Sequence, residues 1–153
     1  MQKPIQLQQR LIEQIPQLAS APEKLVMTTG TGNVVATSDP SLSFEYRYLL
    51  TVTITDEAIT ETLVDLAVVT LLDWLQVNQP EILGNPVHRL SDFTFAQQAN
   101  NLVLTLQLTE RVQVSDTGDV RAIIHLPEPP LQENVALPRQ VYLNGELISS
   151  WTV

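Results

Sequence analysis

The side chains of this sequence that could do chemistry are few and widely spaced. Its two histidines, His88 and His125, have no partner nearby in the sequence that would make either one a general base or a metal ligand. Asp116 and Asp119 flank Gly118, but the ligand spacing of a calcium loop is missing, so this segment is better interpreted as a turn. The sequence has no cysteine, no glycine-rich phosphate loop and no zinc-ligand spacing. We therefore expect no metal ion, no cofactor and no catalytic residue.

A pair of carboxylates is the remaining arrangement with catalytic potential. Asp65 and Asp73 lie two turns apart on a segment that is predicted to be helical. Paired carboxylates can act as general acid and general base, but a solvated polar stripe is the commoner reason for this spacing. An enzyme, for example a small hydrolase that uses scattered carboxylates, is therefore the least favoured class of function.

Composition and charge limit the possible partners. The chain has 153 residues with a hydrophobic content of 44%, which suits a globular fold. Seventeen acidic residues against eight basic ones give a net charge of −9, and such a surface repels phosphate, so specific binding of nucleic acid is not expected. The most apolar run, residues 63–75, is too short to span a bilayer, and no signal-peptide pattern is present.

The elements that would position these side chains are organised around residues 41–80. Residues 42–55 alternate as in a long strand, and one face carries the apolar side chains Phe44, Tyr46, Tyr48, Leu50, Val52 and Ile54. The other face carries Ser43, Glu45, Arg47, Thr51, Thr53 and Thr55, with Leu49 as an apolar exception. A largely apolar helix follows, capped at Thr55 or Asp56, or at Thr60, and ending near Asn78, with Trp74 in the core. This pattern predicts a sheet that helices cover on one side only.

The other elements follow from local patterns. We predict a first helix over residues 4–18 that kinks or ends near Pro16, a hairpin with strands 24–29 and 34–37 around the turn 30–33, a loop near Gly84 and Pro86, and strands over 93–97, 102–114 and 120–126. The alternation of the 102–114 strand places Glu110 on the inner face and Arg111 on the polar face.

The prolines from Pro127 to Pro138 predict an extended C-terminal arm, and Asn144-Gly145 between apolar runs predicts a small hairpin within it. The fold class is therefore α+β: a largely antiparallel sheet with two main helices packed on one face. Residues 1–126 would form the domain, and residues 127–153 the arm with its hairpin.

The free polar face and the arm are the candidate partner surfaces. A solvated face with cross-strand ion pairs would explain the same pattern, but a sheet whose helices all lie on the other side favours an interface. The candidate contact residues are Glu45, Arg47, Glu110, Arg111, Tyr142, Asn144, Gly145 and Trp151.

Several short motifs occur together in a fixed order. They are Ser41–Tyr48, Trp74-Leu75 with Asn78-Gln79-Pro80, Leu108–Arg111, Glu128-Pro129-Pro130, and Tyr142–Leu147 with Trp151. In this order the chain from Ser41 to its C-terminus resembles the tail completion protein R family of peduovirus-type phages, whose tails are contractile.

The resemblance implies a structural protein of a phage or prophage virion with a tail-terminator-like fold. Such a subunit would cap the tail tube and help to form the head-joining surface, assembling with itself as a hexameric ring in solution or only on the tail. Its other partners would be tail tube and sheath proteins and head–neck connector proteins, with DNA passing through the lumen without specific binding and no membrane involved. Assembly would take place in the bacterial host cytoplasm. A transient tail-assembly chaperone or a neck adaptor is the alternative function.

Overall fold

A computed structural model describes residues 1–37, 40–129, 140–143 and 145–150. The helices are α1 (Lys3–Gln14), α2 (Pro16–Ser20), α3 (Glu61–Asn78), α4 (Pro80–Gly84) and α5 (Pro86–Ser91), with a short 3-10 turn at Pro22–Lys24. The strands are β1 (Leu25–Ala36), β2 (Phe44–Thr55), β3 (Phe93–Gln98), β4 (Asn101–Thr117), β5 (Val120–His125), β6 (Gln140–Leu143) and β7 (Glu146–Ser150).

The main sheet has five strands, and each of its pairings is antiparallel. The strand order is β1-β2-β4-β3, and β5 also pairs with β4. Strand β4 is the longest and lies at the centre, with β2 on one edge and both β3 and β5 on the other. The predicted α+β class with a largely antiparallel sheet is confirmed.

The core lies between one face of this sheet and the helices. On β2 the buried positions are Tyr48, Leu50, Val52 and Ile54, and on β4 they include Leu102, Leu104, Leu106 and Leu108. Helix α1 contributes Leu7 and Leu11, and α3 contributes Leu63, Ala67, Leu71, Trp74 and Leu75. The strand alternation and the core position of Trp74 were therefore predicted correctly.

Helix α3 begins where one of the proposed caps placed it. The hydroxyl of Thr60 accepts a hydrogen bond from the Leu63 amide at 3.2 Å, and the helix ends at Asn78, before Pro80. Its apolar residues are not all inside, however, because Val69 and Val77 are exposed. Part of the apolar surface of α3 is therefore exposed.

The predicted hairpin at residues 24–37 is wrong, because β1 is one continuous strand. Thr29 pairs with Leu50 and Gly32 pairs with Tyr48, so Gly30 and Thr31 together lie opposite Leu49. This two-against-one arrangement is a β-bulge. The glycines that suggested a turn instead accommodate the bulge within an edge strand.

Two further expectations have different outcomes. The predicted loop around Gly84 and Pro86 is wrong, because this segment forms the short helices α4 and α5, each with a proline in its first turn. The C-terminal hairpin is confirmed, since β6 pairs with β7. The proline-rich segment 130–139 lies outside the described residues.

Within the parts of the chain that the structure describes, no helix is long and apolar enough to cross a membrane.

Substituting the two bulge glycines tests this geometry. A Cβ at Gly32 would lie 2.6 Å from the carbonyl oxygen of Arg47 and 2.9 Å from the Cβ of Tyr48. We expect Gly32→Ala to lower the free energy of unfolding by about 1–3 kcal/mol, because backbone atoms must move. Gly30→Ala is the matched control: its nearest contact is 3.5 Å, and its effect should stay within about 1 kcal/mol. Urea unfolding followed by circular dichroism measures both, and equal effects would contradict the bulge.

Candidate functional site

The second edge of β4 has a gap between its two neighbouring strands. Strand β3 pairs with β4 up to Leu106, and β5 pairs with it from Val112 onward. Between them, the backbone of Thr109 has no strand partner on this edge. The Gln79 side chain takes that place: its Oε1 accepts the Thr109 amide at 3.2 Å, and its Nε2 donates to the Thr109 hydroxyl at 2.9 Å. A side chain from the end of α3 therefore closes the sheet edge.

Lys3 completes the closure from the first turn of α1. Its ammonium donates to the Thr109 carbonyl at 2.5 Å, to Gln79 Oε1 at 2.6 Å and to Glu128 Oε1 at 2.9 Å. The residue is only 7% exposed, and burial lowers its pKa against the opposing effect of Glu128. Three acceptors match the three hydrogens of an ammonium group, so this buried cation is fully hydrogen-bonded.

Glu110 is the buried anion beside this cation. Its carboxylate accepts the backbone amides of Gln2 at 2.9 Å and Lys3 at 3.2 Å, and the Tyr48 hydroxyl at 2.5 Å. Helix α1 has no side-chain cap of its own, so a strand residue far away in the sequence caps it. Burial acts to raise the pKa of Glu110, but these three hydrogen bonds outweigh it, and the pKa lies below its usual value. Burial and the same carboxylate raise the pKa of Tyr48.

The start of the C-terminal segment is fixed to this cluster. Glu128 pairs with Lys3, the Leu126 amide donates to the Arg111 carbonyl at 2.9 Å, and the Arg111 guanidinium donates to the Pro127 carbonyl at 3.3 Å. A cavity of about 310 Å³ lies beside these contacts. The Nδ1 of His125 is buried there, has no hydrogen-bond partner among the described residues and lies 3.5 Å from Glu110 Oε2. Residues 126–128 are therefore held against the domain.

On the opposite, polar face, Glu45 and Arg47 pair along β2 at 2.6 Å. Glu45 is the register partner of Arg111 on β4. Next to them runs an open groove of about 600 Å³, bounded on its other side by α4 and α5. Both charged strands therefore present polar side chains to an accessible concave surface.

The candidate interface residues have different locations. The register places Glu45, Arg47 and Arg111 on the polar face, as the alternation predicted, but the Arg111 guanidinium donates to the Pro127 carbonyl and not to Glu45. Glu110 lies on the inner face and is 4% exposed, so its carboxylate is used inside the subunit. Tyr142 and Gly145 belong to the β6–β7 hairpin, while Asn144 and Trp151 lie outside the described residues.

Several of the remaining titratable side chains form pairs within the subunit. His88 was expected to lack a sequence-local partner, and this is wrong, because its Nδ1 lies 2.6 Å from Asp92 Oδ2 one helical turn later. Ser91 donates to Asp92 and not to the histidine, so no hydroxyl is placed to be activated by a base. Asp73 pairs with Arg10, and Asp116 pairs with Arg121. In the described ranges, no group of three or more histidine or carboxylate side chains is arranged to hold a metal ion.

The buried cluster itself was missed in the sequence, apart from the inward position of Glu110. One signal for it was a carboxylate on the apolar face of an alternating strand, which requires a buried partner. Gln79, Glu110 and Glu128 also lie within motifs that carry the family resemblance. Nothing in the local sequence of Lys3 distinguishes it from an exposed lysine.

Comparison with known proteins connects this architecture to one family. The model of a family described as P2 phage tail completion protein R (GpR) matches residues 1–129. The tail completion protein R of Escherichia phage P2 is 36% identical over 156 aligned residues, which cover 99% of this chain and 99% of that protein. No solved structure matches the chain. The similarity thus includes α1 and β1, where the sequence motifs had indicated none.

The role of the Glu110 carboxylate is testable through its pH dependence. Because folding lowers its pKa, the carboxylate adds stability above its ordinary pKa of 4.5, and this contribution is lost as the pH falls through the lower folded value. We expect Glu110→Gln to reduce the free energy of unfolding at pH 7 by about 1–3 kcal/mol, since a charged acceptor is lost. The difference from the wild type should shrink below about pH 4.5.

The matched control is Asp73→Asn, which removes one partner of an exposed ion pair. Its effect at pH 7 should be below about 1 kcal/mol. Chemical unfolding between pH 3 and pH 7 measures these differences. A Glu110→Gln effect that equals the control, or that does not change with pH, would show that the carboxylate is not a structural anion.

Proposed function

The chain belongs to the family of the P2 phage tail completion protein R and is a structural protein of the phage tail, and from this premise we propose that it ends tail-tube growth as a subunit of a closed ring. The match over 99% of both chains is the observation that carries the proposal. In this role the protein caps the last layer of the tube and helps to form the surface that the head joins.

Ring closure requires two different surfaces on each subunit that fit each other. One is proposed to be the polar face with Glu45, Arg47 and Arg111, which lies either against a neighbouring copy or along the lumen. The net charge of −9 suits a ring whose lumen lets DNA pass without retaining it, whereas the mixed charges of Glu45, Arg47 and Arg111 suit a contact with a neighbouring copy. A hexamer is the ring size proposed.

The C-terminal arm is proposed as the second contact. Its start is fixed by the Lys3–Glu128 ion pair at 2.9 Å. The β6–β7 hairpin is a two-stranded sheet of its own, and such hairpins are marginal in water unless they dock. Docking on the next subunit, or on a tube, sheath or connector protein, would use Tyr142, Asn144, Gly145 and Trp151.

Catalysis is not part of the proposed role. Among the described candidates for acid–base chemistry, His88, Asp73 and Asp116 are engaged in ion pairs or hydrogen bonds within the subunit. The protein is therefore proposed to act by assembly alone, in the cytoplasm of the bacterial host before head and tail join.

Electron microscopy of tails made without this protein tests the proposed function. We expect overlong tails or tails without heads, because the tube end would stay open to further addition. Supplying the protein in trans should restore length and joining, and mass spectrometry should find the chain in purified particles. Tails of normal length that carry heads would contradict the proposal, and restoration without the chain in the particle would indicate a chaperone.

The arm has its own test, in which residues 130–153 are deleted and Glu128 is retained. Because the Lys3 partner remains, we expect the free energy of unfolding to change by less than about 1 kcal/mol while tail completion is lost. A deletion that also removes Glu128 should lower stability by about 1–3 kcal/mol, because a buried ammonium loses an acceptor. Normal tails with the shorter deletion would show that the arm makes no essential contact.

A further inference from the structure

Strands β1 and β5 each have an edge that pairs with no other strand in the described part of the chain. Strand β1 pairs with β2 and β5 pairs with β4, so they form opposite edges where the strand order is β1-β2-β4-β5. The β6–β7 hairpin forms a separate sheet and adds to neither edge. An edge strand leaves a row of amides and carbonyls open to pairing with another strand. Both edges are therefore candidate sites of strand addition.

Hydrogen bonds at the ends of these two strands determine which backbone groups point outward. The Thr37 amide donates to the Ser43 carbonyl at 3.1 Å, and the Leu126 amide donates to the Arg111 carbonyl at 2.9 Å. Along an antiparallel strand, residues bonded to the neighbouring strand alternate with residues whose amide and carbonyl point away from it. With the observed registers, the outward backbone groups are those of Gly32, Val34 and Ala36 on β1, and of Arg121, Ile123 and His125 on β5.

The regular stretches on the two edges have the same length. On β1, the bulge at Gly30 and Thr31 interrupts the pairing, so the stretch that follows it covers residues 32–37. Strand β5 covers the six residues Val120–His125, and the next residues are held against the domain. Each stretch therefore offers an edge of equal length with three outward residues.

Strand direction determines how these edges can meet. Neighbouring strands in the order β1-β2-β4-β5 are antiparallel, so β1 and β5 run in opposite directions. When copies follow one another head to tail in a ring, the β5 edge of one copy faces the β1 edge of the next. The two strands then meet antiparallel, and the sheet continues from one subunit into the next. A second copy of this chain is therefore a partner that fits both edges at once.

The side chains along both edges favour this pairing. Strand β1 contains no charged residue and no proline, which are residues that commonly protect a free edge. On β5, Val120, Ile123 and Ile124 are 68%, 63% and 51% exposed, and their alternation places them on both faces of the strand. Arg121 is already paired with Asp116 at 2.7 Å. Because each copy carries a net charge of −9, a contact made by backbone groups and aliphatic side chains avoids charge repulsion.

We propose that residues 120–125 of one subunit pair antiparallel with residues 32–37 of the next. Aligning the outward groups places Ile123 opposite Val34, which is 65% exposed and lies on the same face of the sheet. The inference rests on the proposed ring and specifies a contact that closes it, to which the polar face and the arm would add. If the β6–β7 hairpin or a different tail protein occupies either edge, this pairing does not form.

Disulfide crosslinking tests the pairing, because the chain has no cysteine of its own. Val34→Cys and Ile123→Cys are placed on one chain, which replaces the natural protein during tail assembly. Residues directly opposite each other in an antiparallel pair have Cα atoms roughly 5.5 Å apart or closer, a distance that a disulfide can bridge. After purified tails are oxidised, a non-reducing denaturing gel should show a ladder of species beyond the dimer, because each subunit links to two neighbours.

Val35→Cys with Ile123→Cys is the matched control, since Val35 is the next residue along β1 and its side chain lies on the opposite face. The Val34 pair should crosslink at least about tenfold more than this control, as expected for groups held at high effective concentration. Val35→Cys with Ala122→Cys is a second pair that the same register places opposite each other. It keeps the test valid if Ile123→Cys disturbs folding.

Each outcome decides the proposal. A ladder from either of the two opposite pairs that exceeds the control supports it. Tails of normal length with attached heads but no ladder from either pair would overturn this contact and leave tail completion in place. Products that stop at the dimer would exclude the head-to-tail arrangement, and equal crosslinking of the control would exclude the paired strands. If the double-cysteine chain is absent from tails that are nevertheless complete, both the contact and the tail-completion role are wrong.

Discussion

The fold depends on a buried cluster of opposite charges between α1 and β4. Glu110 accepts the first amides of α1, and the Lys3 ammonium bonds to the backbone of Thr109 next to it. Buried charges are costly unless each is paired and hydrogen-bonded. Both the Lys3 and the Glu110 charge are paired and hydrogen-bonded here. The cluster therefore holds in one arrangement the first turn of α1, the end of α3 and the start of the C-terminal segment.

This cluster also explains the shape of the sheet. Because Gln79 and Lys3 satisfy the backbone of Thr109, β3 and β5 can both pair with the same edge of β4 without meeting. The β4 positions Leu102, Leu104, Leu106 and Leu108 belong to the hydrophobic core, whereas Val120, Ile123 and Ile124 on β5 are exposed. A subunit of an assembly needs both a hydrophobic core and an exposed surface.

Elements with strong local signals could be predicted from the sequence. The alternation of β2 and β4 placed Tyr48, Glu110 and Arg111 on their correct faces, and Thr60 was one of the predicted caps of α3. The β1 bulge was missed because Gly-Thr-Gly-Asn has the same local composition as a hairpin turn, and only the register with β2 distinguishes the two. Helices α4 and α5 were missed because they are too short for periodicity to show.

For the candidate site, the sequence predicted only which face of the sheet a residue lies on, because that follows from the alternation along a strand. Glu45, Arg47 and Arg111 share the polar face for that reason. The contacts of Lys3 join residues 76 to 125 positions apart, and no sequence window contains them. The family motifs indicated this region indirectly, since three of them include Gln79, Glu110 and Glu128.

Cryo-electron microscopy of the head-proximal end of purified tails would show whether this chain closes the tube. We predict a closed ring of density on the last tube layer that accommodates one copy of the α+β domain per subunit. Fitted there, each copy should contact a neighbouring copy on either side. An open tube end without this density, or the chain found elsewhere on the particle, would contradict the account.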